Sequence, residues 1–413
     1  MKFESEKIFA FFLLGVPLTL VFAQERVLLF GIPWYVPEIF IAIAFGAFPF
    51  FDNEKQRFFS RRNVFFWGFV LMALGFLLSV FLSDIAPHGY GRLKSWFFFP
   101  VLYGVMLSYS LKKGMLSLRA TLYLVFLSGM FFGISTLGSI FLGSAFSYDH
   151  RLHGVFSSPN QLAMLLGTVI LIGGFLGISF WIERRRDATL VASGSLLMLV
   201  LLLLTQSYMV IFSLMAVVGI AMFRYRGYFS RKQIGVFSLG SILFIGTLLF
   251  LSPDKWESLH AMDERSSLAS RGMIWNAASR MIVDHPIVGI GPGNFQDQYL
   301  AYQQYFPPYL EWSAPHPHNM FLDIWLEGGI LTFIGFVLIF SRWIFLSLQY
   351  FWQKKNESPY RALPFLLAVY FLLIGLTDVP FLRNDLVYFF AIAFVISMYQ
   401  STEISDRSSH HDD

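Results

Sequence analysis

Long apolar runs separated by short polar loops make up most of the chain, and one polar interruption, from about Asp254 to Asn319, is far longer than the rest. A membrane-spanning helix needs about 20 mostly apolar residues, and by that measure the runs amount to about twelve spans. They lie near 8–23, 34–51, 64–83, 94–111, 118–142, 160–182, 188–204, 207–223, 233–252, 319–349, 361–378 and 384–400. The apolar stretch 188–223 is too long for one ordinary span and divides at Thr205-Gln206-Ser207. The fold class expected is therefore an all-α polytopic membrane protein of about twelve transmembrane helices, with a large, partly helical loop between the ninth and tenth. The first run resembles a signal peptide in length, but Gln24-Glu25-Arg26 follows it in place of a small-residue cleavage pattern. It reads as a retained helix.

The basic residues test this layout, because short cytoplasmic loops carry the excess of Lys and Arg. Lys55, Arg57, Arg61 and Arg62 follow the second span, Lys112 and Lys113 the fourth, Arg184-Arg185-Arg186 the sixth, Arg224 to Lys232 the eighth, and Lys354, Lys355 and Arg361 the tenth. The alternate loops hold few. The pattern puts both termini in the cytoplasm and the long loop outside. The expected organisation is spans one to nine over 1–252, the outer loop over 253–318, spans ten to twelve over 319–400, and a polar cytoplasmic tail over 401–413. Seven of the nine histidines fall in outer loops.

Composition agrees. The chain of 413 residues is 56% hydrophobic and 14% charged, against about 25% charged in average soluble domains. The net charge of +4 comes from loop clusters that set topology, so it does not point to nucleic acid. With no cysteine, disulfides and thiolate metal sites are excluded. The two halves show no internal repeat, which weighs against transporter folds built from similar halves.

Candidate chemistry concentrates outside. Within the long loop, Ser267 or Ser270 can cap a helix whose residues Arg271, Trp275, Ala278 and Ile282 share one face, and Asp284-His285-Pro286 ends it. Arg271 beside a helix N-terminus can bind an anion, or it is simply solvated on an amphipathic surface. Gly289-Ile290-Gly291-Pro292-Gly293-Asn294 is a sharp turn without the flanking elements of a nucleotide-binding loop. In His316-Pro317-His318-Asn319, Asn319 is a natural N-cap and His318 sits at the membrane boundary, where an imidazole can take a proton at neutral pH. A metal needs three or four ligands, and the usual metal-binding pattern of two histidines on one helix is absent, so no metal and no cofactor is expected. Asp323 and Glu327 lie one turn apart in the tenth span, where ionisable groups are costly and suggestive of function; packing hydrogen bonds between helices are the plainer account. Asp378 and Arg383 form either part of a site or an interfacial pair. Arg151, before the sixth span, together with Arg92 and Lys94, adds cations to the outer layer, which suits an anionic substrate such as a lipid diphosphate.

These residues also carry a resemblance. Gly154-Val155-Phe156 with Pro159-Asn160-Gln161-Leu162-Ala163, Ser270-Arg271 with Trp275, His285-Pro286 with Gly289-Ile290-Gly291-Pro292-Gly293-Asn294-Phe295, and Pro317-His318-Asn319 with Leu322, Glu327 and Gly328 occur in order. In this the chain resembles the superfamily of bacterial O-antigen ligases and O-antigen polymerases, membrane glycosyltransferases of the same overall plan. The resemblance implies an undecaprenyl diphosphate-linked glycan as donor, lipid A–core or another glycan as acceptor, membrane lipids as surroundings, and a site on the periplasmic face of the bacterial inner membrane. It implies His318 as the group that activates the acceptor and Arg271 as a holder of the donor diphosphate. Arg151, Arg92, Lys94, Trp275, Asn319, Glu327 and Asp378 are further substrate-binding candidates. One departure concerns the start of the eighth span, where the family commonly has Ser-Arg and this chain has Gln206-Ser207-Tyr208-Met209. Tyr208 thus stands where a cation is expected, and Arg151, Arg92 or Lys94 are the candidates to replace it. Ligase and polymerase are not separable on these residues, and a polysaccharide transporter or flippase is the reading from a different class.

Overall fold

The computed structural model describes residues 2–22, 25–29, 32–48, 64–83, 89–147, 149–183, 185–227, 267–306, 314–353, 361–381, 383 and 385–408, with isolated positions between 230 and 246. Most of the expected ninth span, the start of the outer loop, half of the inner-loop basic residues and the end of the tail lie outside the described residues.

What is described is almost entirely helical. In chain order, α1 (Lys2–Thr19) leads to a two-stranded antiparallel hairpin, β1 (Arg26–Leu29) with β2 (Ile32–Tyr35), in which Arg26 faces Tyr35 and Val27 faces Trp34. Then come α2 (Val36–Gly46), α3 (Val64–Leu82), the short α4 (Gly89–Leu93), a π-helical turn over Lys94–Phe98, and α5 (Phe99–Lys112). They are followed by α6 (Leu118–Phe141), α7 (Pro159–Ile182), α8 (Asp187–Leu204) and α9 (Tyr208–Arg224). The outer segment supplies α10 (Ser267–Asp284) and α11 (Phe295–Tyr302), and α12 (Met320–Trp352), α13 (Leu363–Gly375) and α14 (Leu386–Ser408) complete the chain. Among the described residues five helices, α3, α6, α7, α8 and α12, are long and apolar enough to cross a membrane, and α2, α9, α13 and most of α14 are shorter apolar helices. The helices α8 and α9 meet at Thr205-Gln206-Ser207, with Gln206 at φ 50°. The polar triplet thus breaks the long apolar stretch where its length requires a division.

The most intimate packing joins α3 to α12. Gly68, Gly75 and Ser79 on α3 face Gly328, Thr332, Gly335 and Ile339 on α12. Small residues let backbones approach, which is what drives helix association where lipid removes the hydrophobic incentive. A Cβ at Gly335 would lie 2.5 Å from the Gly68 carbonyl oxygen and 2.8 Å from the Met72 nitrogen, so backbone would have to move. Hydroxyls use the same closeness: Ser79 Oγ donates to the Glu327 carbonyl at 3.0 Å, and Thr332 Oγ1 donates to the Gly328 carbonyl at 2.7 Å. α7 is the central helix, with its apolar window 78% buried.

The outer segment has a small core of its own. Ile274, Ala277, Ala278 and Met281 of α10 pack with Ile290, Phe295, Tyr299 and with Leu326 of α12. The buried face of α10 therefore centres on Ile274 and Ala278, leaving Arg271 and Trp275 half-buried at its margin.

Gly335→Leu should separate α3 from α12. The expected cost is about 1–3 kcal/mol or more, as for overpacking a filled core, read as a lower unfolding temperature of the detergent-solubilised protein. Gly219→Ala, where a Cβ meets nothing within 4 Å, should leave that temperature unchanged.

Candidate functional site

Between its two glycines α12 is broken. Gly329 has φ 71° and ψ −172°, values that favour glycine. In a continuous helix the Ile330 N–H would bond to the Leu326 carbonyl. Here each turns to the glycine-rich turn instead. Ile290 N–H donates to the Leu326 carbonyl at 2.7 Å, and Ile330 N–H donates to the Ile287 carbonyl at 3.2 Å. Buried Glu327 accepts the Gly293 N–H on its carboxylate. Arg92 Nη1 donates to the Pro292 carbonyl at 3.3 Å while its guanidinium lies over Trp96. Gly289 and Gly293, both at positive φ, sit where a Cβ would strike Leu326 and Arg92 respectively. Glu327 and Arg92, candidates for substrate contact on sequence, thus hold the outer turn in the helix break.

That docking aims the next segment. Trp275 Nε1 donates to the Pro317 carbonyl at 2.9 Å, tying α10 to the His-Pro-His run. Asn319 caps α12, its Oδ1 accepting from Phe321 N–H at 3.0 Å and Leu322 N–H at 3.1 Å, while its Nδ2 donates to the Leu376 carbonyl at 3.2 Å. His318, just before the cap, has φ 49°. A non-glycine residue there is uncommon, and such strain gathers at functional sites. Among the described residues the other two non-glycines at positive φ are His150 and Gln206, both in segments that meet the same place.

The rings of His316 and His318 stand edge to face with centroids 4.3 Å apart. His316 Nε2 and His318 Nδ1 lie 3.5 and 3.6 Å from Asp378 Oδ1. The other carboxylate oxygen of Asp378 accepts from Asn160 Nδ2 at 2.9 Å. Asn160 Oδ1 accepts from Arg151 Nη2 at 2.8 Å and from Ser207 Oγ at 3.1 Å, and Arg151 Nε donates to the Thr205 carbonyl at 3.0 Å. Arg383 Nη2 donates to His316 Nε2. One network therefore runs from the α8–α9 break through the N-terminus of α7 to the His pair and the α13–α14 loop. Arg271 and Tyr208 come within electrostatic reach of Arg151, and Asp378 does as well.

Electrostatics gives each group a state. Burial, Arg383 and His318 together hold the His316 imidazole well below its ordinary range, so it is neutral at pH 7. Burial alone would raise the Asp378 carboxyl, but His318, His316 and Arg383 outweigh it and hold the group well below the usual carboxylate range. Burial lowers the Arg151 guanidinium from its ordinary value, though a guanidinium stays charged in proteins. Ionised Asp378 faces Nδ1 of His318 at 3.6 Å, the side from which a carboxylate orients a histidine ring and leaves Nε2 for other partners. Among the described residues, His316 Nδ1, His318 Nδ1 and Arg383 Nε are buried without a hydrogen-bond partner. Such atoms cost about 1–3 kcal/mol each, which oxygens of a bound ligand would offset.

His316, His318 and Asp378 could also ligate a metal, since one atom from each lies within 4.8 Å of the others. Against this, Arg383 occupies Nε2 of His316, and three guanidiniums, those of Arg151, Arg271 and Arg383, lie in the cluster. Fixed cations oppose another cation and favour an anion.

The sequence candidates Arg271, Arg151, Tyr208, Asp378 and His318 come together here, with Trp275 and Asn319 as struts. Lys94 does not join them. Its Nζ lies 2.6 Å from buried Glu38 and 2.7 Å from the Pro33 carbonyl, stapling the β-hairpin to α2. Sequence reasoning missed Asn160 as the bridge and His316 as a member, and it named Arg383 only as a neighbour of Asp378. Asn160 stood inside a quoted motif, but only the fold sets it between Arg151 and Asp378.

Helices long enough to cross a membrane, with a His–Asp–Arg cluster where α7, α12 and the α13–α14 loop meet, make this a helical membrane protein with a buried cluster of histidines, a carboxylate and guanidiniums. Residues 193–337 match the O-antigen ligase family, so the resemblance seen in the motifs is borne out over about a third of the chain. The matched region contains Arg271, His316, His318 and Glu327; Arg151, Asn160, Asp378 and Arg383 lie outside it. The chain is also similar to an uncharacterized protein of Haemophilus influenzae strain Rd, 24% identical over 335 residues, covering 76% of this chain and 80% of the relative.

Asn160→Ala should uncouple Arg151 from Asp378. Leaving the buried groups short of partners should cost about 1–3 kcal/mol of stability, visible as a lower unfolding temperature. Asn160→Gln, with the same amide one methylene further out, should restore only part of it.

Proposed function

We propose that this protein is an O-antigen ligase-like glycosyltransferase that moves a glycan from undecaprenyl diphosphate to a sugar hydroxyl, the acceptor being lipid A–core. The observation that carries this reading is the His318–Asp378 pair set among three guanidiniums in a chain whose residues 193–337 match the O-antigen ligase family. The charge alternation along the loops supports an inner-membrane protein with about twelve spans, both termini in the cytoplasm and the site facing the periplasm.

In this reaction His318 Nε2 takes the proton from the acceptor hydroxyl as its oxygen attacks the anomeric carbon. The bond from that carbon to the diphosphate oxygen breaks, and the diphosphate leaves with the electron pair. Asp378 stabilises the imidazolium that forms. Arg271, Arg151 and Arg383 neutralise the departing anion, where preorganised cations lower the barrier most. Arg151 takes the part of the cation that Tyr208 displaces, since its guanidinium is anchored at the Thr205 carbonyl beside Ser207. The chemistry needs no metal, since the base, the orienting carboxylate and the cations are all side chains.

A deletion strain tests the reading through its polysaccharide profile on a gel. Loss of all long chains from lipid A–core, with polymer accumulating on its lipid carrier, is the expected result. A single repeat unit left on the core means a polymerase of the same superfamily, and an unchanged profile removes the proposal.

His318→Ala should abolish transfer while the protein still reaches the membrane. Arg271→Ala should impair use of the lipid-linked donor more than of the acceptor; a purely acceptor-side defect would rule out its place at the diphosphate.

A further inference from the structure

A groove of about 560 Å³ opens between α3, the α4–α5 segment, α12 and α14. Its walls are almost wholly apolar and aromatic. Phe336 lies 5.9 Å from Phe381 and Phe390 lies 5.1 Å from Phe381, ring to ring, so one wall is a stiff aromatic surface. One end is at Trp96 and Phe381. The other end is lined by Val64, Lys112, Arg342 and Met398.

The start of α3, the end of α5 and the register of α12 on α3 place that second end at the opposite membrane boundary. Val64 begins α3 and Lys112 ends α5. Arg342 lies three residues beyond Ile339, which packs on Gly68 near the start of α3, while Thr332 packs on Gly75 further along it. Met398 sits past the middle of α14. Arg342 is half-buried, with its guanidinium over the Phe345 ring at 5.5 Å. Among the described residues no carboxylate pairs with it.

The occupant must therefore be apolar along its length and anionic at the end remote from the His–Asp cluster. A polyprenyl diphosphate bound at that cluster meets only the first demand, because its charge lies at the other end. A phospholipid of the opposite leaflet meets both: acyl chain in the groove, phosphate at Arg342 and Lys112. Basic pockets between membrane helices on the cytoplasmic side hold anionic lipid head groups for this reason. We propose that this groove is a binding site for one anionic phospholipid of the leaflet opposite the cluster, its phosphate held by Arg342 and Lys112. Because the lipid would bridge α3, α5, α12 and α14, it would brace the α3–α12 pair that carries the outer turn. The exclusion of a polyprenyl diphosphate rests on the function proposed for the cluster, whereas the lipid binding itself is read without any transfer assay.

The test uses the full chain, delipidated in a neutral detergent, with phosphatidylglycerol, phosphatidylcholine and undecaprenyl diphosphate as probes. Binding is read by native mass spectrometry and by the shift in unfolding temperature. Phosphatidylglycerol should bind with one molecule per chain and raise the unfolding temperature, and phosphatidylcholine should do so far less. Arg342→Gln with Lys112→Gln should weaken phosphatidylglycerol by about 10–30-fold, the effect of two cations near a lipid surface. Val101→Trp, which fills the groove and keeps both cations, should abolish the bound molecule. Equal binding of the two phospholipids, undiminished binding by the double variant, or displacement of phosphatidylglycerol by undecaprenyl diphosphate would each overturn the proposal. A failed glycan-transfer assay would leave all these readings unaffected.

Discussion

The site depends on one exchange of hydrogen bonds. At Gly329 the helix α12 gives up its own Ile330-to-Leu326 bond, and the two freed groups are satisfied by Ile287 and Ile290 of the outer segment. In a membrane a broken helix is tolerated only where protein satisfies the freed backbone groups. The outer turn does so here, and in return it acquires a fixed position. Glu327 reinforces the joint by accepting the Gly293 N–H, and Ser79 holds the Glu327 carbonyl from α3. The small residues of α3 and α12 therefore serve more than packing, because they place the break where the turn can reach it.

From that joint the geometry propagates outward. The docked turn sets α10, and α10 holds the His-Pro-His run through Trp275. Asn319 caps α12 and reaches the end of α13, so the His pair is clamped from two sides. Asp378 then stands close to both imidazoles, and its remaining oxygen is taken by Asn160. The result is a carboxylate kept ionised, a neutral His316 beside it, and His318 with its Nδ1 turned to the same carboxylate. An apolar core could not impose such directional constraints, which is why the cluster is built from hydrogen bonds between segments distant in sequence.

Charge has two separate places in the molecule. At the outer cluster, guanidiniums outnumber the ionised carboxylate they surround, which favours a multiply charged anion. At the far end of the aromatic groove, Arg342 and Lys112 border an apolar channel. Along α12 the two sets are well separated, Arg342 lying 22 residues beyond Met320.

Apolar periodicity along the chain already determined that this is a helical membrane protein, where most helices begin and end, and that Asp254 to Asn319 is the unusual segment. Those properties follow from local sequence, because the length of a span, a polar triplet at 205–207 and an Asn cap are each set by a few neighbouring residues. The motifs contained His318, Arg271 and Asn160, while Asp378, Arg151 and Tyr208 were named from polar residues between the spans. What they did not contain was function within the site. Glu327 and Arg92 resembled ligand contacts yet secure the turn, and Lys94 pairs with Glu38. Asn160 resembled part of a helix start and proved to be the bridge between Arg151 and Asp378, which lies 218 residues away. Only the tertiary structure could decide this, because a polar side chain's role is fixed by which distant partner reaches it first, and local sequence does not encode that distance.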